Sequence, residues 1–398
     1  MNTLVALCAI GAEKILGNEI KQLGYSLKPD EPYSPGRVIF LGDDDALFRS
    51  NLCLRIADRV YLQLARYKAS DFDALFDGVY SIPWQDYFHK DVRVVVDKVR
   101  THKSRLNSEH SVQSIVHKAI YTKLGDIWHI RTMPESGEQA DVRVYIENDV
   151  AMILLDLSGV PLHRRGYRKD GGIAPIRETL AAALLQTMHW KRKHPLHDAF
   201  CGSGTIACEA MLYAYNVAPG FGRRFAVENL CIFDSKKAKD IRCKEAEKIC
   251  PQNETRISGT DIDIQAVERA RANAERAGVT AGRALQLIGS DERIVRPTFD
   301  QADFRELGAP YKTGFLLGNP PYGERLGDVE QAQELYHDMS QLFDTFPEWN
   351  MGFVTAQGTF ETDIGKKADF CKKIKSGNLD TCFYVFLGQD GGKNGNSR

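Results

Sequence analysis

The sequence predicts an α/β chain in which two small α+β units precede a larger unit built on an open, mainly parallel sheet covered by helices. Its 398 residues exceed what one ordinary core fills, so the chain divides. Its first 160 or so residues mix helices with strands that alternate apolar and polar positions. Beyond about Ala174, helices alternate with short, almost uniformly apolar runs, as strands buried on both faces require.

The first unit, residues 1–65, offers a strand at Leu4 to Cys8, a helix at Ala12 to Leu23 and a strand at Arg37 to Leu41. A helix opened by Asp43 to Asp45 and an alternating strand through Val60, Leu62 and Leu64 complete it. The second unit, residues 66–160, continues with Asp71 to Val79, a strand at Val92 to Val99 and a helix from Ser108 to Leu124. Strands Val142 to Glu147 and Met152 to Leu157 flank the turn dipeptide Asn148-Asp149 and predict a β-hairpin. A linker at 161–174 leads into the third unit, 175–390.

There the candidate strands are Leu196 to Phe200, Arg256 to Asp261, Ala284 to Ile288, Thr313 to Gly318 and Asn350 to Thr355. The helices are Ile176 to Met188, Thr205 to Tyr213, Ile264 to Ala277 and Val329 to Phe343. Lys372 to Lys375 and Thr381 to Leu387 flank Ser376-Gly377-Asn378, a hairpin that adds an antiparallel strand to the sheet edge. The tail 391–398 is polar and Gly-rich, which predicts disorder.

A composition of 43% hydrophobic and 26% charged residues suits a globular protein, and no apolar run reaches the ~20 residues of a membrane span. The N-terminal stretch lacks a basic leader, so the chain is expected to stay in the cytoplasm. Nine cysteines without a C-x-x-C pair support neither a disulfide framework nor a zinc site, and the ten histidines have no metal-ligand spacing. The net charge of −1 means that any nucleic-acid footprint must be local.

Phe200-Cys201-Gly202-Ser203-Gly204-Thr205 joins a strand directly to a helix. Its glycines let the backbone approach a ligand, and the helix amides can bind a polar group, although a tight turn explains a lone G-x-G equally. A second strand ends in Asp261-Ile262-Asp263. Asp261, at the carboxyl end of the neighbouring strand, is placed to accept ribose hydroxyls, and Asp263 to cap the next helix. Asp303 follows the next strand; it can accept from an adenine amino group or be a solvated loop acid.

Leu316-Leu317-Gly318-Asn319-Pro320-Pro321-Tyr322-Gly323 ends a further buried strand. An exocyclic base amine is a poor nucleophile because its lone pair is delocalised into the ring. Accepting its two hydrogens at the Asn319 side-chain oxygen and the Pro320 carbonyl pulls the nitrogen toward tetrahedral geometry and aims the lone pair at a methyl donor. Pro320-Pro321 holds that carbonyl rigid, and Tyr322 offers a face for the extruded base. No protein nucleophile is needed for a group already activated in a cofactor.

From about Ala174 onward the chain resembles the class I methyltransferases of the amino-group type. The resemblance rests on Pro175 to Ala182, Cys201-Gly202-Ser203-Gly204-Thr205, Asp261, Asp303 and Asn319 to Leu326, in the family's unpermuted order. The part before it resembles a ferredoxin-like unit followed by a THUMP RNA-binding domain. Together they resemble, over essentially the whole chain, the THUMP-containing 23S rRNA guanine-N2-methyltransferases, often labelled N6-adenine-specific DNA methylases. The resemblance implies a Rossmann-like domain with a mixed seven-stranded sheet, and S-adenosylmethionine held by Asp198, Phe200, Cys201, Gly202, Ser203, Gly204, Thr205, Asp261, Ile262 and Asp303. The catalytic set it implies is Asn319, Pro320, Pro321 and Tyr322. Two departures stand out: Gly318 where many relatives have Asp, and Ala199 where many have Pro after the strand-end acid.

The basic stretch Lys98 to Asn107, with Arg100, Lys103, Ser104 and Arg105, can neutralise RNA phosphates, and so can Arg165 and Tyr167 between the domains. Solvated charged loops are the alternative. The expected substrate is guanine in structured rRNA. Transfer RNA, adenine 6-amino groups of DNA and a non-catalytic RNA-binding role remain alternatives; no helix-turn-helix supports a duplex reader.

Overall fold

The computed structural model describes residues 1–169, 175–321, 329–376 and 379–389. Its first part runs β1 (Asn2–Leu7), α1 (Glu13–Gln22), β2 (Ser26–Leu27), β3 (Tyr33–Ser34), β4 (Arg37–Gly42), α2 (Ala46–Cys53) and β5 (Arg59–Lys68). It continues with α3 (Phe72–Tyr80), β6 (Arg93–His102), α4 (Glu109–Trp128), β7 (Gln139–Glu147) and β8 (Val150–Asp156). These strands form one continuous sheet in the order β2-β4-β1-β5-β8-β7-β6, with β3 also on β4.

The strand β5 is the seam. Its Leu62 faces Leu4 of β1 on one side and Leu155 of β8 on the other, so residues 1–65 and 66–160 share a sheet and a core. The hairpin expected at Asn148-Asp149 is present. Both residues adopt positive φ, 52° and 58°, the geometry whose twist matches the flanking strands, and this fixes the β7–β8 register.

The second part comprises α5 (Glu178–Thr187), β9 (Leu196–Asp198), α6 (Thr205–Ala214), α7 (Ser235–Ala246), β10 (Ile257–Asp261), α8 (Ile264–Gln286), β11 (Thr298–Gln301) and β12 (Phe315–Gly318). Then come α9 (Val329–Met339), α10 (Gln341–Thr345), β13 (Asn350–Thr355), α11 (Phe360–Asp363), β14 (Phe370–Ser376) and β15 (Leu379–Phe386). The seven-stranded sheet has the order β11-β10-β9-β12-β13-β15-β14, parallel except for the terminal hairpin. From β9 the chain goes first to β10 and later to β12 on the other side. That reversal opens a crevice at the carboxyl ends of these strands, where open α/β sheets bind ligands.

The strand expected at Ala284 to Ile288 does not exist; Ala284 and Leu285 belong to the last turns of α8. Ala277, Ala281, Ala284 and Leu285 recur at helical spacing and are all buried, so one face of a long helix meets the sheet. The helix expected to end at Ala277 runs on through Gly278 to Gln286, and the strand that follows is β11.

The two parts are tightly joined. Ala182, Ala183, Val227 and Phe233 enter the N-terminal core. Gly220 N–H donates to Leu52 O (2.9 Å), Val227 N–H to Leu157 O (3.0 Å) and Arg55 Nη2 to Val217 O (2.8 Å). No described helix is long and apolar enough to cross a membrane.

Candidate active site

At the end of β9 the backbone turns through Gly202 and Gly204, both at positive φ, and enters α6. A Cβ on Gly204 would stand 2.9 Å from Ala270 Cβ and 3.0 Å from the Phe299 ring, so α8 and β11 can pack against the loop only if this residue is glycine. Asn273 Nδ2, fully buried on α8, donates to Ser203 O at 2.8 Å and clamps the loop from behind.

Asp261 closes the loop from the next strand. Its Oδ2 accepts from Gly202 N–H (2.8 Å) and its Oδ1 from Asp263 N–H (3.0 Å), leaving lone pairs on both oxygens. Asp263 caps α8 through Gln265 N–H (2.8 Å), as expected. Ile262 is 67% exposed, an apolar side chain free to pack against a ligand.

Asp303 is held rather than freely solvated: it accepts from Arg305 N–H (3.0 Å) and Arg305 Nη1 (2.9 Å). Arg305 continues to Asp338 on α9 (2.7 Å), and its guanidinium lies 4.7 Å over the Phe304 ring.

These pieces enclose a cleft of about 330 Å³, near the small end of ligand pockets. Asp198, Phe200, Cys201, Gly202, Ser203, Thr205, Asp261, Ile262 and Asp303 line it, while Gly204 lies behind as a packing position. Asn319 and Pro321 complete the wall, Pro320 is buried, and Tyr322 lies outside the described residues. Among the described residues no hydrogen bond occupies the Asn319 amide. The departure at Gly318 has a steric reason: a Cβ there would meet the Phe200 ring at 2.9 Å.

The cleft floor is electrostatically unfinished. Asp198 is 1% exposed and accepts from Phe200 N–H (3.1 Å), with no cation paired to it among the described residues. Burial, with the Asp261 carboxylate adding to it, pushes its pKa up to about 8.

Several positioning contacts were not visible in the sequence. Tyr336 on α9, fully buried, donates to Pro321 O (3.3 Å) and shares a hydrogen bond with Thr355 Oγ1 (3.0 Å), tying α9 to the Asn319 loop. Arg305, only two residues after Asp303, had a local signal; Tyr336 and Asn273 had none.

The RNA-binding expectation for Arg165 and Tyr167 is overturned. Arg165, 4% exposed, donates to Leu162 O (2.7 Å) and Arg55 O and lies 3.5 Å from Glu209. Tyr167, 3% exposed, donates to Glu209 (3.0 Å). Both are engaged in the joint between the two parts. Near the end of β6, Arg100 pairs with Glu109 (2.8 Å), and in the loop that follows the Ser104 hydroxyl donates to His102 O and accepts from Asp149 N–H. Lys103 and Arg105 remain as exposed cations, although Arg105 comes within 3.8 Å of Asp149.

Three stretches match family models: the RlmL ferredoxin-like domain at 3–61, the THUMP domain at 69–156 and the RMKL-like methyltransferase domain at 165–384. A Bacillus subtilis protein named "Putative RNA methyltransferase YpsC" is 37% identical over 390 residues, covering 96% of this chain and 95% of that protein. The Photobacterium profundum "Ribosomal RNA large subunit methyltransferase K/L" is 31% identical over 97% of this chain, which spans 53% of that protein. The crystal structure of SMU.472, described as "a putative methyltransferase complexed with SAH", is 33% identical with a TM-score of 0.86 over 98% of both chains.

Proposed function

The chain belongs to the RMKL-like methyltransferase family, and we propose that it moves a methyl group from S-adenosylmethionine to an exocyclic amine of a base in structured RNA. The finer reading is the 2-amino group of guanine in large-subunit rRNA. The observation that carries transfer to an exocyclic amine is that Asn319, whose amide has no hydrogen-bond partner among the described residues, lines the same cleft as Gly202 and Asp261. The name of the K/L relative and the THUMP match support RNA as the substrate.

The cleft fits the cofactor. Asp198 is a buried acid awaiting a cation, the start of α6 presents amides, Ile262 offers an apolar face, and Asp261 and Asp303 offer acceptors for ribose and adenine. Bound there, S-adenosylmethionine supplies an activated methyl. The residues of the chain position the amine: the Asn319 oxygen and the Pro320 carbonyl accept its two hydrogens, with Tyr336 steadying the loop through Pro321. Labelled cofactor offered with large-subunit rRNA, tRNA and DNA tests this. The expected product is N2-methylguanosine from rRNA; methyladenine, or label only in DNA, refutes it.

Asp198 gives the cofactor step a pH dependence. The unfolded acid ionises near 3.8 and the folded one near 8, so the folded protein holds a proton that the unfolded chain has released. Stability from this group therefore falls as pH rises from about 4 to 8. A net cation binds the ionised form better, so cofactor affinity is expected to rise up to about tenfold per pH unit from 6 to 8, then level off. Asp198→Asn should flatten both dependences, as calorimetry from pH 6 to 9 will show.

Changing Lys103 and Arg105 together to Ala should weaken RNA binding and lower the salt slope by about one for each phosphate that is no longer neutralised. An unaltered slope in filter binding removes this loop from the interface.

A further inference from the structure

A depression on the C-terminal domain carries a charge arrangement that methyl transfer does not use. Its walls bring Arg223, Arg224, Arg242 and Arg283 together beside Phe221, opposed by the single carboxylate of Glu228. Arg242 comes from α7 and Arg283 from α8, and the other two from the segment between α6 and α7. α8 begins at the cofactor cleft, and Arg283 lies roughly 30 Å further along the helix at its 1.5 Å rise. The two sites are separate.

Glu228 is shared, lying 3.8 Å from both Arg224 and Arg242. The Arg223 guanidinium nitrogens donate to the carbonyls of Val160, Pro161 and Arg164, which carry no net charge, and its buried Nε has no hydrogen-bond partner among the described residues. Arg242 likewise donates to the carbonyls of Gly220, Phe221 and Arg223 while lying over Phe48 and Phe225. Arg283 is exposed and makes no hydrogen bond or ion pair with any described residue. Four guanidinium groups with one carboxylate among them leave a concave surface of uncompensated positive potential. Forked guanidinium donors match the oxygens of phosphate.

We propose that this depression is a phosphate-binding site that takes a backbone phosphate of the RNA substrate. Arg224 and Arg283 are the direct donors, and Arg223 and Arg242 are fixed charges beneath them. The choice of RNA rests on the function proposed above. It is favoured by the exposed rim and by the separation from the cleft, which leaves room for RNA flanking an extruded base to reach it.

The test uses the full chain, with Arg224→Ala/Arg283→Ala and, separately, Arg283→Glu; an unchanged melting profile shows that both fold. RNA affinity is measured by filter binding across salt concentrations, and inorganic phosphate and pyrophosphate are titrated by calorimetry. Expected are a roughly tenfold loss of RNA affinity in the double variant, a salt slope shallower by about one to two, and unchanged cofactor affinity and kcat at saturating RNA. If phosphate or pyrophosphate binds wild type but not the variants while RNA binding is unmoved, the site holds a free anion and its assignment to RNA is overturned. If wild type binds RNA and neither probe responds to the substitutions, the site is overturned and the RNA function stands. Should wild type bind no RNA, that function fails, and the phosphate titration alone decides the site.

Discussion

Asn319→Ala is expected to lower kcat by about 10² to 10³-fold, on the order of 3–4 kcal/mol, the usual effect of losing one preorganised hydrogen-bonding group at a reacting atom. Cofactor affinity should stay within about twofold of wild type. The reason is the division of labour in the cleft: the loop Cys201 to Thr205, Asp261 and Asp303 come from β9, β10 and the turn after β11, and none hydrogen-bonds to Asn319. Asn319→Asp keeps an acceptor oxygen at the same place and should recover part of the lost rate, whereas a larger amide in Asn319→Gln should not. Single-turnover transfer rates and cofactor titrations on the same preparations separate the two roles. Weakened cofactor binding with an unchanged rate at saturation would sink the assignment.

Features written in local chemistry were legible in the sequence. The Asn148-Asp149 turn, the Asp263 cap and the glycine loop after β9 each depend on residues a few positions apart, and each is where the spacing put it. Asn319 was legible for the same reason, because a buried strand must deliver the residue after it to the sheet's carboxyl edge. The run Ala284 to Ile288 was misread because a short apolar stretch satisfies both periods; only its phase with Ala277 and Ala281, across Gly278, marks it as helix. The fusion of the two N-terminal units was invisible, since β5 has the same alternation whether one of its edges is paired or both. Composition showed the charge of Arg165 but not its burial, because Glu209, the acid beside it, lies on α6.

That buried joint yields the second large effect, and its asymmetry is the informative part. Glu209 receives the Tyr167 hydroxyl and faces Arg165, with side-chain exposures of 0% and 3% across the ion pair. Arg55 O accepts from Arg165, and Tyr167 O accepts from Arg276 Nε (2.6 Å), which also reaches Asn273 behind the cofactor loop. Glu209→Ala strands a guanidinium that cannot shed its proton and leaves the tyrosine hydroxyl without its acceptor, so a loss of about 3–5 kcal/mol is expected in chemical denaturation. Arg165→Met should cost less, because Glu209 still accepts from the Tyr167 hydroxyl and keeps the Arg55 charge nearby. The pair Glu209→Leu/Arg165→Met should regain much of the loss, as a buried ion pair replaced by apolar groups of similar volume often does. RNA affinity of folded Arg165→Met should match wild type, since a side chain enclosed between the two parts of the molecule has no surface to offer a phosphate. A variant as stable as wild type but impaired in RNA binding would return Arg165 to the interface and remove it from the joint.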